Sequence, residues 1–373
     1  MVASLARPAT APPTPPALPS GLGVNIHFTH PKAGEIDQLA AAGFTVVRMD
    51  FGWSDIERKR GVYDFSDYDA LLKSLEPHKI GAVFILDYSN KLYDDGLSPH
   101  TDAGRAAFAK WAAAGVEHFK GRGIYWEMYN EPNIGFWHPK PNVDDYVKLA
   151  LATGSAIRAV APEEQFIGPA CSTMDFKFLE RCFKGGCLEF WSAVSVHPYR
   201  QTPPETVEAD YAKLRELIAQ YATKGKSIPI FSGEWGYSSG WKNFDEARQG
   251  KYLPRQWLTN IASGVPVSIW YDWHDDGPDP NEPEHHFGTV HLDYSPKPAY
   301  LAAKKLTTEL AGYRFEKRIN VASDEDHLLL FIRGESEKKL AAWTISEKPH
   351  SVTAPAWGTA EIPLSDEVHY FAP

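Results

Sequence analysis

The chain has 373 residues, 43% hydrophobic and 23% charged, ordinary globular usage with enough apolar content for a sizeable core. Its net charge is −10 with no basic block, which argues against nucleic acid or an anionic membrane surface as a partner. No apolar run reaches the length of a membrane span.

Residues 1–20 are mostly Ala and Pro, including Pro12-Pro13-Thr14-Pro15-Pro16, and predict an extended tail or linker. They lack the charged start and apolar segment of a secretory signal. From Gly21 onward strand and helix patterns alternate. Leu22–Phe28 is a strand, Glu35–Ala42 a helix stopped by Gly43, and Phe44–Asp50 a strand that puts Arg48 and Asp50 on one side. Ser66 is a candidate N-cap for a helix ending before Pro77. Ile80–Tyr88 is an apolar third strand, and Thr101 opens a helix with Phe108, Trp111, Ala112, Gly115 and Phe119 at helical spacing. The fourth strand, Ile124-Tyr125-Trp126-Glu127-Met128, is apolar on both faces like a buried parallel strand, and it ends in the polar tip Tyr129-Asn130-Glu131-Pro132.

The alternation continues through helix Val143–Ala161, strand Gln165–Pro169, a helix around Phe176–Phe183, strand Trp191–His197 and helix Thr206–Tyr221. The seventh strand, Pro229-Ile230-Phe231-Ser232-Gly233-Glu234, places a second glutamate at a strand tip. Helix Glu246–Ser263, strand Val265–Tyr271 and helix Pro298–Leu310 complete the series. Eight strand–helix units predict an α/β protein whose parallel sheet closes into a (β/α)8 TIM barrel over residues 21–311. A doubly wound open sheet would need a glycine-rich loop after the first strand, and Asn25-Ile26-His27-Phe28 is not one. Residues 312–373 switch to short alternating runs and predict a small C-terminal β domain.

In such a barrel, side chains at the C-terminal strand ends carry chemistry. Glu131 and Glu234, at the ends of strands four and seven, can flank one glycosidic bond, one protonating the leaving oxygen and one attacking the anomeric carbon. Asn-Glu-Pro recurs at Asn281-Glu282-Pro283, but with no strand before it that copy is expected to be loop. Several of the 12 Trp, 17 Tyr and 19 Phe fall at strand ends, where rings can stack on sugar faces, although most are expected in the core.

On these motifs the chain resembles the clan A glycoside hydrolases, close to the cellulase-like proteins of families 5 and 39. The resemblance implies a retaining glycosidase that cleaves a β-glycosidic bond of an oligo- or polysaccharide and needs no cofactor or metal. It places the acid/base on Glu131, the nucleophile on Glu234 and a contact to the substrate 2-hydroxyl on Asn130. The His-x-Tyr of strand six falls on His197 and Tyr199, with the tyrosine donating to the nucleophile and Arg48 keeping it ionised. An apolar setting is expected to raise the pKa of Glu131. An aromatic platform under the sugar is expected at strand eight, on Trp270 ahead of Trp273. Where family 5 cellulases often carry a histidine after strand three, this chain has Asp87-Tyr88-Ser89-Asn90, so Asp87 and Asn90 are either sugar contacts or loop structure.

The stretch from His274-Asp275-Asp276 to His285-His286 matches no metal motif and is expected to be a solvated rim of the cleft. Cys182 and Cys187 either close a small disulfide loop or remain free with Cys171. The bridged form would suit a secreted or periplasmic enzyme, with a cytoplasmic one left open, and the oligomeric state has no signature in the sequence.

Overall fold

The computed structural model describes residues 15–346, 348–355, 357–358 and 361–373. Eight parallel strands close a barrel in sequence order: β1 (Leu22–Asn25), β2 (Val46–Gly52), β3 (Gly81–Asp87), β4 (Tyr125–Met128), β5 (Gln165–Ser172), β6 (Ala193–His197), β7 (Ile230–Trp235) and β8 (Ser268–Trp270). β1 pairs with both β2 and β8, Gly23 lying opposite Val46 on one side and Ile269 on the other, so the sheet has no edge. Helices between the strands cover the outside, which makes this the expected (β/α)8 barrel. Three long helices start at side-chain caps, Thr101, Asn142 and Asp245. Ser66 is not a cap: the helix Ser66–Leu75 begins on it, and its N–H goes to Asp64 Oδ1 at 3.0 Å.

Strand alternation fills the barrel in layers. Val46, Val83, Tyr125, Ile167, Ala193, Phe231, Val267 and Ile269 form an apolar floor. One step up the same strands, Arg48, Glu127 and Ser195 form a polar layer, with Ser195 Oγ donating to Glu127. Gly233 belongs to this layer by necessity, since a Cβ there would sit 2.2 Å from Ser195 Oγ and 2.8 Å from Glu127 Oε1. The outward residues of the strands meet the helices in a much larger apolar core.

The C-terminal unit holds a four-stranded antiparallel sheet in the order β14-β11-β10-β9, from β9 (Arg314–Arg318), β10 (Asp326–Arg333), β11 (Glu337–Thr344) and β14 (His369–Phe371). β12 (His350–Thr353) and β13 (Glu361–Leu364) pair as a ribbon. β10 is buried on both faces: Leu328 and Leu330 enter a small local core, while Leu329 and Phe331 enter the core of the barrel layer. At that boundary Trp343 Nε1 donates to Glu205, whose carboxylate also pairs with Arg255 at 2.7 Å. The unit therefore shares part of its apolar core with the barrel layer.

Two expectations change. Residues 1–14 of the Ala/Pro stretch lie outside the described residues, but 15–20 are docked: Leu18 is buried, donates to Tyr313 O at 2.8 Å and accepts from Gly312 N at 2.9 Å. Cys171, Cys182 and Cys187 are free thiols buried in the helical layer, so no bridge joins Cys182 to Cys187. Among the described residues no helix is long and apolar enough to cross a membrane.

Candidate active site

The mouth of the barrel is built on Arg48. It stands on β2, faces inward by alternation with Val46, and is almost fully buried. Its Nε donates to Glu127 Oε2 at 2.6 Å and its Nη1 to Glu234 Oε2 at 2.6 Å and Asn25 Oδ1 at 3.1 Å. Nη2 donates to Asn130 Oδ1 at 2.8 Å and faces His197 Nε2 at 3.3 Å. Burial works against the guanidinium charge, but Glu127 and Glu234 more than offset it and hold its pKa above the usual value. One cation thus links strands β1, β2, β4, β6 and β7, a task suited to the rigid fork of arginine donors.

Beyond β4 the chain turns sharply. Tyr129 and Glu131 take φ of 64° and 44°, a left-handed conformation costly for side chains other than glycine. The turn is held by Glu131 N–H donating to Ala170 O at 2.9 Å and by the Tyr129 and Ser98 hydroxyls at 2.7 Å. It delivers Asn130 and Glu131 side by side into the mouth. On β7 the register with β8 slips between Ser232 and Trp235, which breaks the alternation and brings Glu234 over the barrel beside the inward Gly233.

The two glutamates have different partners. Glu234 accepts from Tyr199 Oη at 2.7 Å as well as from Arg48. Burial, then the Glu234 charge, lifts the Tyr199 phenol well above its usual pKa, so it stays protonated and donates. Glu131 Oε1 lies 2.9 Å from His197 Nδ1. Because Arg48 offers only donors, His197 Nε2 must be the acceptor, which leaves the ring proton on Nδ1 to be donated to Glu131. Burial pushes Glu131 up, but the His197 donor and then Ser172 and Arg48 outweigh it, and the net shift is downward. This reverses the expectation of a raised pKa: the setting is buried, but it is not apolar. One oxygen of Glu131, one of Glu234 and a ring nitrogen of His197 lie within 4.8 Å of one another.

The mouth opens into a cleft of about 530 Å³ lined by Arg48, Asn130, Glu131, Tyr199 and Glu234 among others. His197 is wholly buried beneath it and touches the glutamates rather than the space above. The tryptophan platform is not where it was expected. Ile269 faces the barrel interior, so Trp270 on the next position points outward, fully buried against Tyr237. Trp273 is buried too, its Nε1 donating to Glu35 at 2.9 Å. Asp87 is fully buried below the cleft, its carboxyl pushed well above the usual range by burial and then by Asp50. Asn90 is loop structure, donating to the carbonyls of Trp53 and Glu57 at 3.3 and 2.9 Å.

The aromatic rings that do line the cleft are Tyr88, Phe136, Tyr199, Trp241, Tyr271 and Phe287. Phe136, Trp241 and Phe287 were missed in the sequence because they sit on loops, where no periodicity marks direction; Tyr88 and Tyr271 follow the last residues of β3 and β8, one step past the strands whose phase could have been read. Glu127 was missed for another reason. A carboxylate in the middle of an apolar strand is a readable signal that a buried cation must face it.

Residues 20–277 match the family model for cellulase, glycosyl hydrolase family 5. The chain belongs to that family. This clan A member is a glycoside hydrolase, a retaining glycosidase. Its fold is similar to that of a family 39 glycoside hydrolase from Bacteroides cellulosilyticus WH2, at 22% identity over 94% of this chain and 80% of the other, with a TM-score of 0.82. It is also similar to a family 39 β-xylosidase from Caulobacter crescentus, at 21% identity over 92% and 81%, TM-score 0.68. A family 5 protein, GH5_18 from Streptomyces cattleya solved with GlcNAc, aligns at 17% identity over 79% and 81%, TM-score 0.60. No curated protein matches the chain. The family 5 cellulase-like chain carries its two mouth glutamates on β7 and just beyond β4; of the 274–286 stretch expected to be a solvated rim, Glu284 lines the cleft and Glu282 is exposed, whereas Asp275 is buried and pairs with Lys297 at 2.9 Å.

Proposed function

We propose that this glycosidase cleaves a β-glycosidic bond by double displacement, with Glu234 as nucleophile and Glu131 as acid/base. The observation that supports it is the unequal wiring of two carboxylates less than 4.8 Å apart. That spacing leaves no room for a water between carboxylate and anomeric carbon, and retaining pairs lie about 5–5.5 Å apart against ~6.5–9.5 Å for inverting ones. Glu234 takes two donors, one charge-assisted from Arg48 and one phenolic from Tyr199, which fix its carboxylate for attack. Glu131 faces no cation directly; His197 donates to it through Nδ1, with Ser172 beside it, which orients it and favours the carboxylate that activates water in the second step. Asn130, fixed by Arg48 through its oxygen and by Tyr88 through its nitrogen at 2.8 Å, is placed to meet the 2-hydroxyl.

The sugar is proposed to be neutral. Among the described cleft residues the cations are Arg48, held by two glutamates, and His27, which faces Asp272 at 3.5 Å. Burial opposes the His27 charge, but Asp272 carries its pKa up to about 9. Neither cation is free to clamp a uronate or a sulfate.

The test is stereochemical. An NMR time course on a β-glycoside should show the β-anomer first, with the α-anomer arising only by mutarotation; α first would overturn the assignment. Glu131→Ala should slow substrates with poor leaving groups by roughly 10²–10⁴-fold and activated aryl glycosides far less. Equal losses for both would remove the acid/base role.

Glu131, His197 and Glu234 also have the spacing to hold a metal ion. The Arg48 cation, 2.6 Å from Glu234 and 3.3 Å from the His197 ring, opposes a second positive charge there. Prolonged dialysis against EDTA should leave turnover within about twofold, a shift smaller than the tenfold that each ~1.4 kcal/mol represents. A metal-restorable loss would favour a metal-dependent hydrolase instead.

A further inference from the structure

Among the described residues, the well-exposed large apolar side chains are Val62, Ile134, Phe136, Leu292 and Leu301. Two of these five, Ile134 at 38% and Phe136 at 43% exposure, line the catalytic cleft, and both follow Glu131 directly in the chain. They are not on a loose loop. Ile134 N donates to Glu131 O at 3.1 Å and Trp137 N to Ile134 O at 3.1 Å, while Trp137 is buried against Tyr129. Phe136 lies flat against Tyr88, ring centroids 5.7 Å apart and planes 20° apart. The turn thus presents a fixed apolar surface to the cleft, an arrangement that costs hydration unless something covers it.

We infer that this surface is the leaving-group subsite and that it takes an apolar, ring-bearing aglycone. The inference rests on the acid/base reading of Glu131, since the proton donor faces the leaving oxygen and whatever that oxygen carries lies beside the donor's own turn. A second sugar would need hydrogen-bond partners as well as a flat face. The nearest polar side chain on this turn, Asn133, is committed: its Nδ2 donates to Ser172 O at 3.0 Å and its Oδ1 accepts from Ser172 N at 2.9 Å.

Ethyl and 2-phenylethyl β-glycosides of one sugar release alcohols of nearly equal basicity and differ by one phenyl ring. Using β-glucosides and β-xylosides, whichever is turned over, kcat/KM should be about tenfold or more higher for the phenylethyl compound, through KM. It should also exceed that for the matching β-linked disaccharide. In Phe136→Ala the phenylethyl-to-ethyl ratio should fall towards one, Phe136→Trp should restore it, and Leu301→Ala, at an exposed site outside the cleft, should leave it as in the parent. Equal rates for the ethyl and phenylethyl compounds, or a disaccharide hydrolysed tenfold better, would overturn the aglycone assignment while leaving the glycosidase reading intact. Turnover of an aryl β-glycoside with none of the three hydrolysed would overturn the aglycone assignment, and a Glu131→Ala variant as active as the parent would bring down the acid/base reading on which it rests.

Discussion

Glu234→Ala is expected to lower turnover of aryl β-glycosides by roughly 10⁴–10⁶-fold, the scale seen when a covalent nucleophile is removed. The loss should be partly repaired by azide or formate, small anions that fit the space left by the carboxylate and attack from the same face. The rescued product should be a glycosyl adduct of inverted anomeric configuration, because only one displacement then occurs. In the wild-type enzyme a 2-fluoro glycoside should trap the intermediate and mass-label the peptide containing Glu234. The variant should fold normally, since Arg48 keeps Glu127, and Tyr199 loses only one acceptor at the solvent-facing side. A label on any other peptide, or a variant that azide cannot rescue on any substrate, would remove Glu234 from the nucleophile's role.

Arg48→Met should do more damage than the loss of one sugar contact would suggest. The substitution leaves Glu127, at 0% exposure, facing Glu234 with no cation between them. Stranding one member of a buried pair costs about 3–5 kcal/mol, so a large drop in melting temperature is expected. Arg48→Lys separates charge from geometry. It restores one positive charge but cannot reach Glu127, Glu234, Asn25 and Asn130 together, because lysine lacks the planar fork. Stability should largely return in Arg48→Lys, while kcat should stay roughly 10²-fold down, because Glu234 and Asn130 are no longer held in place by one fork. A lysine variant with wild-type stability and wild-type kcat would show that Arg48 is a structural ion pair only. Arg48 and Asp50 share one side of β2, as the period of two implies, but they do not pair. Asp50 lines the cleft, while Arg48 pairs with Glu127 and Glu234.

The barrel was legible because its signal is local and repeated. Each strand is a short apolar run, each helix keeps a 3.6-residue spacing, and eight such units in succession admit few closed arrangements. Arg48 was legible because alternation along β2 sets its direction, and Asn130, Glu131 and Glu234 because polar residues stood out at the tips of apolar strands, although a turn and a register slip, not alternation, aim them. Trp270 shows how narrow that margin is. A one-residue error in phase assigned it to the cleft, when Ile269 holds the inward position and Trp270 belongs to the helical layer.

By itself, then, the sequence determined the strand–helix alternation, the two glutamates at strand tips and the acidic surface, all properties of residue type and spacing along the chain. Only the tertiary structure decided which of Arg48's neighbours share its charge, that Glu131 is held as a carboxylate by His197 rather than raised by apolar walls, and that Phe136 and Ile134 face the cleft. Those facts depend on side chains brought together from as many as 186 residues apart, as in the Arg48–Glu234 pair. Hydrogen-bond partners and local dielectric are set by that proximity, and no periodicity in the chain encodes it.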